Sequence, residues 1–361
     1  MRILITTGIY PPEIGGPATY TVLMEKELPK KGISVIVLPF RAVKKLPKWI
    51  KHFVFFCKVL NLGRKVDLLY TQDPVSVGFP TMIASKILRK PFMIRVAGDY
   101  AWEQASQYFG VKENIDDFQN KKYGFRVELL RFLQKITVRM ADKVITPSKY
   151  FGNLVSKWNP EKDNVATIYN GIDLFDDLEI KDDFKPKTII SAGRLVPWKG
   201  FDFLIKIMKD LPNWELYIVG DGPDKEKLAK IIESLGLTSR VFLLGKMERQ
   251  ELIQKIRHSK IFVLNTSFES FSFQIVEAMA VGTPVISTNI GNISEIIEDG
   301  KEGLLVAPGD KIAMLNAIEK LSVFSFRAQI ISNAKDKSKF FSVDKTMDKT
   351  AEVIFSLIYK I

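Results

Sequence analysis

Short apolar runs alternate with segments whose apolar residues recur at helical spacing, and the alternation occurs in two separate series. RILITT (2–7), ISVIVL (33–38), DLLYT (67–71), PFMIRV (91–96), KVITP (143–147) and VATIYN (165–170) read as buried strands. Helical segments separate them, among them residues 17–31 and the amphipathic RFLQKITVRMA (131–141). A second series starts with TIISAG (188–193) and continues through ELYIVG (215–220), VFLLG (241–245), IFVLN (261–265) and PVIST (284–288). Its helices are predicted at about 200–209, 224–235, 248–257 and 274–281, and residues 310–361 read as mainly helical. This βαβα order predicts α/β domains with mostly parallel sheets covered on both faces. Asp173 to Lys187 is acidic, polar and without pattern, so the linker is expected there, with the boundary at 171–186. The domains are then 1–170 and 171–343, with a terminal helix over 344–361.

Composition narrows the function classes. The 361 residues are 46% hydrophobic and 26% charged, the balance of a globular protein. Cys57 is the only cysteine, which excludes a disulfide scaffold and a cysteine-only metal site. The only histidines, His52 and His258, exclude a His-rich zinc centre and are expected at the surface. No apolar run is long enough to span a bilayer, and the first residues read as strand and loop rather than a signal peptide, so a cytoplasmic protein is expected.

The charge is unevenly placed. The net +12 divides into +13 over residues 1–170 and −1 over the rest. Between Glu27 and Asp67 there are ten basic residues and no acidic one: Lys30, Lys31, Arg41, Lys44, Lys45, Lys48, Lys51, Lys58, Arg64 and Lys65. Such a patch attracts an anionic partner. No zinc finger, RRM or helix-turn-helix signature accompanies it, so nucleic acid is not expected; the patch, residues 41–65 above all, is a candidate for an anionic membrane surface or simply a solubilising surface. Within the patch, KWIKHFVFFCKVL (48–60) has helical spacing. Trp49, Ile50, Phe53, Val54, Phe56, Cys57 and Leu60 are expected on the buried side. Phe55 and Val59 lie among Lys48, Lys51, His52 and Lys58 on the other side, where they would press into a bilayer.

Four sequence elements carry candidate chemistry. Gly15 and Gly16 follow the first strand and precede a helix, so the backbone there can approach a phosphate. The full G-x-G-x-x-G spacing is absent, which disfavours a dinucleotide oxidoreductase. In SAGRLVPWKG, Gly193 closes a strand, Arg194 follows at once, and Lys199 and Gly200 precede a helix. A guanidinium fork and an ammonium at one strand end suit the two phosphates of a nucleoside diphosphate. In VGDGPDKEKL, Gly220 to Pro223 form a tight turn into a helix, which suits close backbone packing near a ligand or simply a helix start. In NTSFESFSFQIVEAMAVGTPVIST, Glu269 lies in a loop after a strand and Glu277 in an apolar helix. A carboxylate among Val276, Ala278, Met279 and Ala280 is costly unless paired, and ligand hydroxyls would satisfy it. The helix start at Phe271, Ser272 and Phe273 offers N–H groups and a positive dipole end to a phosphate.

These elements, with VITPSKY, IYNGID and GLLVAPGD in this order, resemble the retaining nucleotide-sugar glycosyltransferases of the GT-B fold over nearly the whole chain. This is the group of the glycogen synthases and many mannosyl-, glucosyl- and galactosyltransferases (family four, "glycosyl transferases group 1"). The resemblance implies two Rossmann-like domains facing across a cleft, with the terminal helix returning to the first. It implies that Arg194 and Lys199 hold the donor diphosphate, that Glu277 grips the ribose and that Glu269 lies against the sugar. The loop of Gly15 and Gly16 would close over the diphosphate from the other domain. Two departures stand out. Glu269, Ser270, Phe271 and Ser272 replace the frequent E-G-F-G, and the usual histidine after the fourth strand is missing from Arg95 to Asp99, which leaves Asp99 as the nearest polar candidate for catalysis. The chain has no D-x-D triplet, which suits a metal-independent site with no cofactor beyond the sugar nucleotide. The acceptor would be a glycan or a lipid-linked hydroxyl. Two alternatives are a GT-B sugar-nucleotide epimerase, disfavoured by the shortage of histidine, and a non-catalytic membrane- or nucleic-acid-binding protein, which leaves Arg194, Lys199 and Glu277 without a purpose.

Overall fold

The computed structural model describes residues 1–13, 15–173 and 187–359. Apart from its two ends, the expected linker lies outside the described residues. The chain divides into two compact units, one of residues 1–171 and 343–361, the other of residues 172–342.

The first unit runs β1 (Arg2–Thr7), α1 (Gly16–Glu27), β2 (Ser34–Pro39), α2 (Lys48–Gly63), β3 (Leu68–Thr71), α3 (Gly78–Leu88) and β4 (Phe92–Arg95). It continues with α4 (Tyr100–Tyr108), α5 (Ile115–Asn120), α6 (Phe125–Arg139), β5 (Lys143–Thr146), α7 (Lys149–Ser156) and β6 (Val165–Thr167). The second unit runs β7 (Thr188–Ala192), α8 (Phe201–Ile207), β8 (Glu215–Val219), α9 (Lys225–Ser234), β9 (Val241–Gly245), α10 (Arg249–His258) and β10 (Ile261–Leu264). It closes with α11 (Phe273–Ala280), β11 (Val285–Thr288), α12 (Ile293–Ile296), β12 (Leu304–Val306), α13 (Lys311–Lys320) and α14 (Phe324–Ser338). The final helix, α15 (Val343–Tyr359), belongs to the first unit.

Every strand pair in both sheets is parallel, as the unbroken apolar strands require. The orders are β2-β1-β3-β4-β5-β6 and β12-β11-β10-β7-β8-β9. Both are doubly wound, and in each the direction of winding reverses at one point. In the first sheet this lies between β1 and β3, in the second between β7 and β10. Ligands of such sheets bind beyond the carboxyl ends of the strands at these points. The strand β12 is too short to stand out in the sequence, and it pairs with β11 through Leu304, Leu305 and Val306.

The core of the first unit joins Ile3, Ile5, Leu68, Tyr70, Met93 and Ile145 of the sheet to Tyr20, Leu23 and Met24 of α1. Met347, Ala351 and Ile354 of α15 complete it, at roughly 1.5–3 kcal/mol for each large side chain. Polar contacts fix the helix in register: Thr346 Oγ1 donates to Tyr169 O (2.9 Å), and the Tyr20 and Thr350 hydroxyls lie 2.9 Å apart.

The basic helix α2 is turned differently from its sequence expectation. Phe55 and Val59 are fully buried, whereas Ile50, Phe53 and Cys57 are exposed. Phe55 meets Phe40 edge to face (5.3 Å), and α2 packs along α3. A helix with apolar residues on every side carries no periodic signal for which side faces the sheet.

Candidate functional site

In the second unit the loops at the carboxyl ends of β7, β8 and β10 meet at the reversal point. Glycine makes the approach possible. A Cβ on Gly220 would lie 1.9 Å from Gly193 O, and one on Gly222 2.7 Å from Leu195 N. Gly193 N donates to Val219 O (3.0 Å) and Leu195 N to Asp221 O (3.0 Å), so the loops after β7 and β8 are joined backbone to backbone. The loop after β10 is tied to the same place. Ser267 N donates to Trp198 O (2.7 Å) and Thr266 Oγ1 to the same oxygen (3.0 Å). Gly200, at φ +56°, lies against Asn265, whose side chain donates to Gly200 O (3.1 Å).

This framework brings Lys199 and Glu269 together. Their ammonium and carboxylate form an ion pair across the reversal point, with the side chains only 12% and 14% exposed. The aliphatic stem of Lys199 passes Gly193, with Cε 3.7 Å from the position of a Cβ there. Arg194 is exposed on the same loop. The first residues of α11 follow Glu269 directly. Ser272 caps the helix by accepting from Ile275 N (3.3 Å), while the buried Phe271 ring packs edge to face on Phe273 and Phe341. The Phe271 side chain is therefore core.

Glu277 is buried on α11 and accepts from Arg249 Nε (2.8 Å), while Arg249 Nη1 reaches Asp173 (3.0 Å). Sequence reasoning assigned the neutralisation of Glu277 to ligand hydroxyls and missed Arg249. The arginine opens α10, and no pattern in the chain links that position to α11. Burial pushes the Glu277 carboxyl above its ordinary value, against the pull of Arg249. As pH falls, the folded protein therefore takes up this proton before the unfolded chain does. The charged form costs the fold stability above the raised pKa, and that cost disappears as pH falls through it towards the ordinary carboxylate range. Glu277→Gln lacks this dependence. Urea midpoints taken from neutral pH to about 4.5 are expected to show wild type gaining on Glu277→Gln with acidification.

In the first unit, Gly15 and Gly16 lie at the start of α1, in the loop after β1. A Cβ on Gly15 would collide with Ile9 Cδ1 at 2.6 Å. Asp99 does not have the setting expected of a catalytic group. It is fully buried and caps α4, with Oδ1 accepting from Trp102 N (3.0 Å) and Gln134 Nε2 (2.9 Å), and Oδ2 from Gln119 Nε2 (2.8 Å). Both oxygens tie α4 to α5 and α6, which is structural work. Asp73, which the sequence reading passed over, follows β3 and lies beside the loop after β1. Its Oδ1 accepts from Val75 N (2.6 Å) and Ser76 N (2.8 Å), and its Oδ2 lies 3.0 Å from the position of a Cβ on Gly8. Burial pushes its carboxyl up. Among the described residues, no group of three or more His, Cys, Asp or Glu is placed to hold a metal ion.

Two family models match the chain. One, "Glycosyl transferase 4-like domain", covers residues 4–171, and the other, "Glycosyl transferases group 1", covers residues 176–337. The chain belongs to the group 1 glycosyltransferases of the GT-B fold. The chain is 30% identical over 232 residues to an uncharacterized glycosyltransferase of Methanocaldococcus jannaschii, a match covering 58% of this chain and 59% of the relative. It is 34% identical over 134 residues to the lipopolysaccharide core biosynthesis glycosyltransferase LpsE of Rhizobium meliloti, a match covering 37% of this chain and 39% of the relative. The matches span about three fifths of the length of the first curated relatives. Among solved structures, Anabaena HepE in complex with UDP and glucose superposes with TM-score 0.80 at 22% identity, over 99% of this chain and all of that one. Sucrose-phosphate synthase of Thermosynechococcus elongatus gives 0.82 at 17% identity, over the whole of both chains. At these identities the superpositions establish the fold. Among the described residues no helix is long and apolar enough to cross a membrane.

Proposed function

We propose that this glycosyltransferase moves a hexosyl group from a nucleoside-diphosphate sugar to a hydroxyl of a glycan or lipid-linked acceptor, with retention at the anomeric carbon and without a metal ion. The observation that carries the reading is the Lys199–Glu269 pair at the reversal point of the second sheet, bordered by Arg194 and glycine backbone. A nucleoside diphosphate is a good leaving group, so the main catalytic demand is to neutralise charge building on the β-phosphate. Lys199, Arg194 and the N–H groups at the start of α11 are suited to that task. Glu269 holds the Lys199 ammonium until a diphosphate takes it over, and its carboxylate is then available to the sugar.

Glu277 is oriented by Arg249 and has acceptor positions left for the ribose hydroxyls. The acceptor oxygen forms its bond to the anomeric carbon as the bond to the phosphate oxygen breaks, and the acceptor proton passes to that departing oxygen. Gly193 and Gly220 would let backbone come close to the diphosphate. The epimerase reading needs acid–base side chains around the sugar, but the two histidines lie exposed on α2 and at the end of α10, and neither belongs to the loops after β7 and β10.

The test is a screen of UDP-, GDP- and ADP-sugars for transfer or hydrolysis, joined to calorimetry with the free diphosphate of the donor that works. Glu277→Gln is expected to weaken diphosphate affinity about tenfold, the scale of one charge-assisted hydrogen bond. Glu269→Gln is expected to spare that affinity and lower transfer. Equal losses of affinity would mean that the two roles are misassigned, and the absence of turnover with every donor would overturn the reading.

A further inference from the structure

The helical layer of the first unit presents an apolar and basic face that the transfer reaction does not use. On α2, Ile50 and Phe53 are 49% and 66% exposed and Cys57 is exposed beside them. On α6, Phe125, Leu129 and Phe132 follow one another at helical spacing, with Phe125 81% and Phe132 59% exposed. The helix α3 packs against both α2 and α6, so the two stripes flank one element of a single layer. Large apolar side chains grouped on a surface in this way mark an interaction site.

The charge around them is predominantly positive, with Glu13 paired to Lys44 (2.9 Å). Lys58 and Arg64 are exposed on or next to α2, Arg41, Lys44 and Lys45 just before it, and Arg126 and Arg139 on α6. No acidic residue falls between Glu27 and Asp67. Glu128, the only carboxylate of α6, is bonded to Arg131 (2.9 Å). A second copy of the chain would bring like charges together. Aliphatic Ile50 and Leu129 give no base-stacking surface to a nucleic acid. Outward aromatic and aliphatic side chains on elements that also carry exposed lysine and arginine match the chemistry of an anionic bilayer surface, where the rings enter the headgroup boundary and the cations meet lipid phosphates.

We propose that α2 and α6 dock the first unit onto an anionic membrane surface, through Ile50, Phe53, Phe125, Leu129 and Phe132 and the surrounding bases. The proposal deepens the transferase reading by placing its acceptor at a lipid surface, but docking itself needs neither donor nor turnover.

Flotation with vesicles of phosphatidylcholine alone, and with roughly one third phosphatidylglycerol, tests the proposal apart from catalysis. The wild-type chain is expected to float only with the anionic vesicles and to be released as salt rises, because the Debye length shrinks from about 30 Å at 0.01 M to about 8 Å at 0.15 M. Changing Lys45, Lys58 and Arg64 to Glu is expected to lower binding at least about tenfold. Phe53→Ser with Phe132→Ser is expected to lower it by a similar factor at unchanged charge, roughly the loss for two partly exposed rings leaving the lipid boundary. All these side chains are at the surface, so urea midpoints should match wild type and exclude unfolding as the cause. A wild-type chain that stays unbound on anionic vesicles at low salt overturns the proposal and leaves the transferase reading intact. So does a solution dimer that the phenylalanine changes dissociate, which would assign the face to a second copy.

Discussion

Lys199→Ala is expected to lower kcat/KM by roughly 10² or more, about 2.7 kcal/mol of transition-state stabilisation. The expectation comes from placement. The ammonium sits where the windings of the second sheet diverge, nearly enclosed, with the backbone of Gly193 on one side and Glu269 on the other. Charge growing on a departing diphosphate in so sheltered a place is poorly screened by water, so one cation counts for more there than at an open surface. Arg194→Ala should act in the same direction, as the second cation of the loop. The fold should tolerate the lysine change, because Lys199 contributes no buried apolar surface comparable to the strands beside it. Steady-state rates with the best donor from the screen, read alongside urea midpoints, check both halves. A Lys199→Ala rate within about threefold of wild type would remove the residue from the site.

Gly220→Ala is expected to give the largest loss of stability from a single methyl group in the second unit, about 3 kcal/mol or more. Two causes act together. Gly220 has φ +141°, a conformation that side-chain-bearing residues rarely adopt. The added Cβ would also stand 1.9 Å from Gly193 O, so the loop after β7 has to retreat. That retreat breaks the Gly193 N to Val219 O bond between the ends of β7 and β8. Because the displaced loop carries Arg194 and Lys199, nucleotide affinity should fall with stability. Chemical denaturation and calorimetry on one preparation test this. A variant of wild-type stability would mean that the loops separate without cost.

Much of the fold was legible in the chain. Parallel strands buried on both faces must be apolar at every position, so RILITT, TIISAG and IFVLN declare themselves without any tertiary information. The glycine turns were legible for a related reason, since close backbone approach tolerates no side chain. The candidate site was legible only in part. Lys199, Glu269 and Glu277 were recognisable because charged residues stood at strand ends or in an apolar helix, where a structural use is unusual. Their partners were not. Arg249 is 28 positions from Glu277, and Lys199 is 70 positions from Glu269.

Asp99 marks the limit from the other side. Its position after the fourth strand suggested chemistry, but the helices that follow supply three donors that occupy both of its oxygens. Helix α2 marks it too: its residues predicted a helix, and only packing against α3 and Phe40 decided that Phe55 and Val59 turn inward and Phe53 outward. The sequence by itself determined the order of the elements, the parallel sheets, the tight glycine turns and the excess of positive charge in the first half, because each depends on local geometry or simple counting. The tertiary structure alone decided which charges pair, which face of an all-round apolar helix meets solvent and which carboxylates are spent on holding helices. Those outcomes depend on groups far apart in the chain, and their proximity exists only once the sheets have formed.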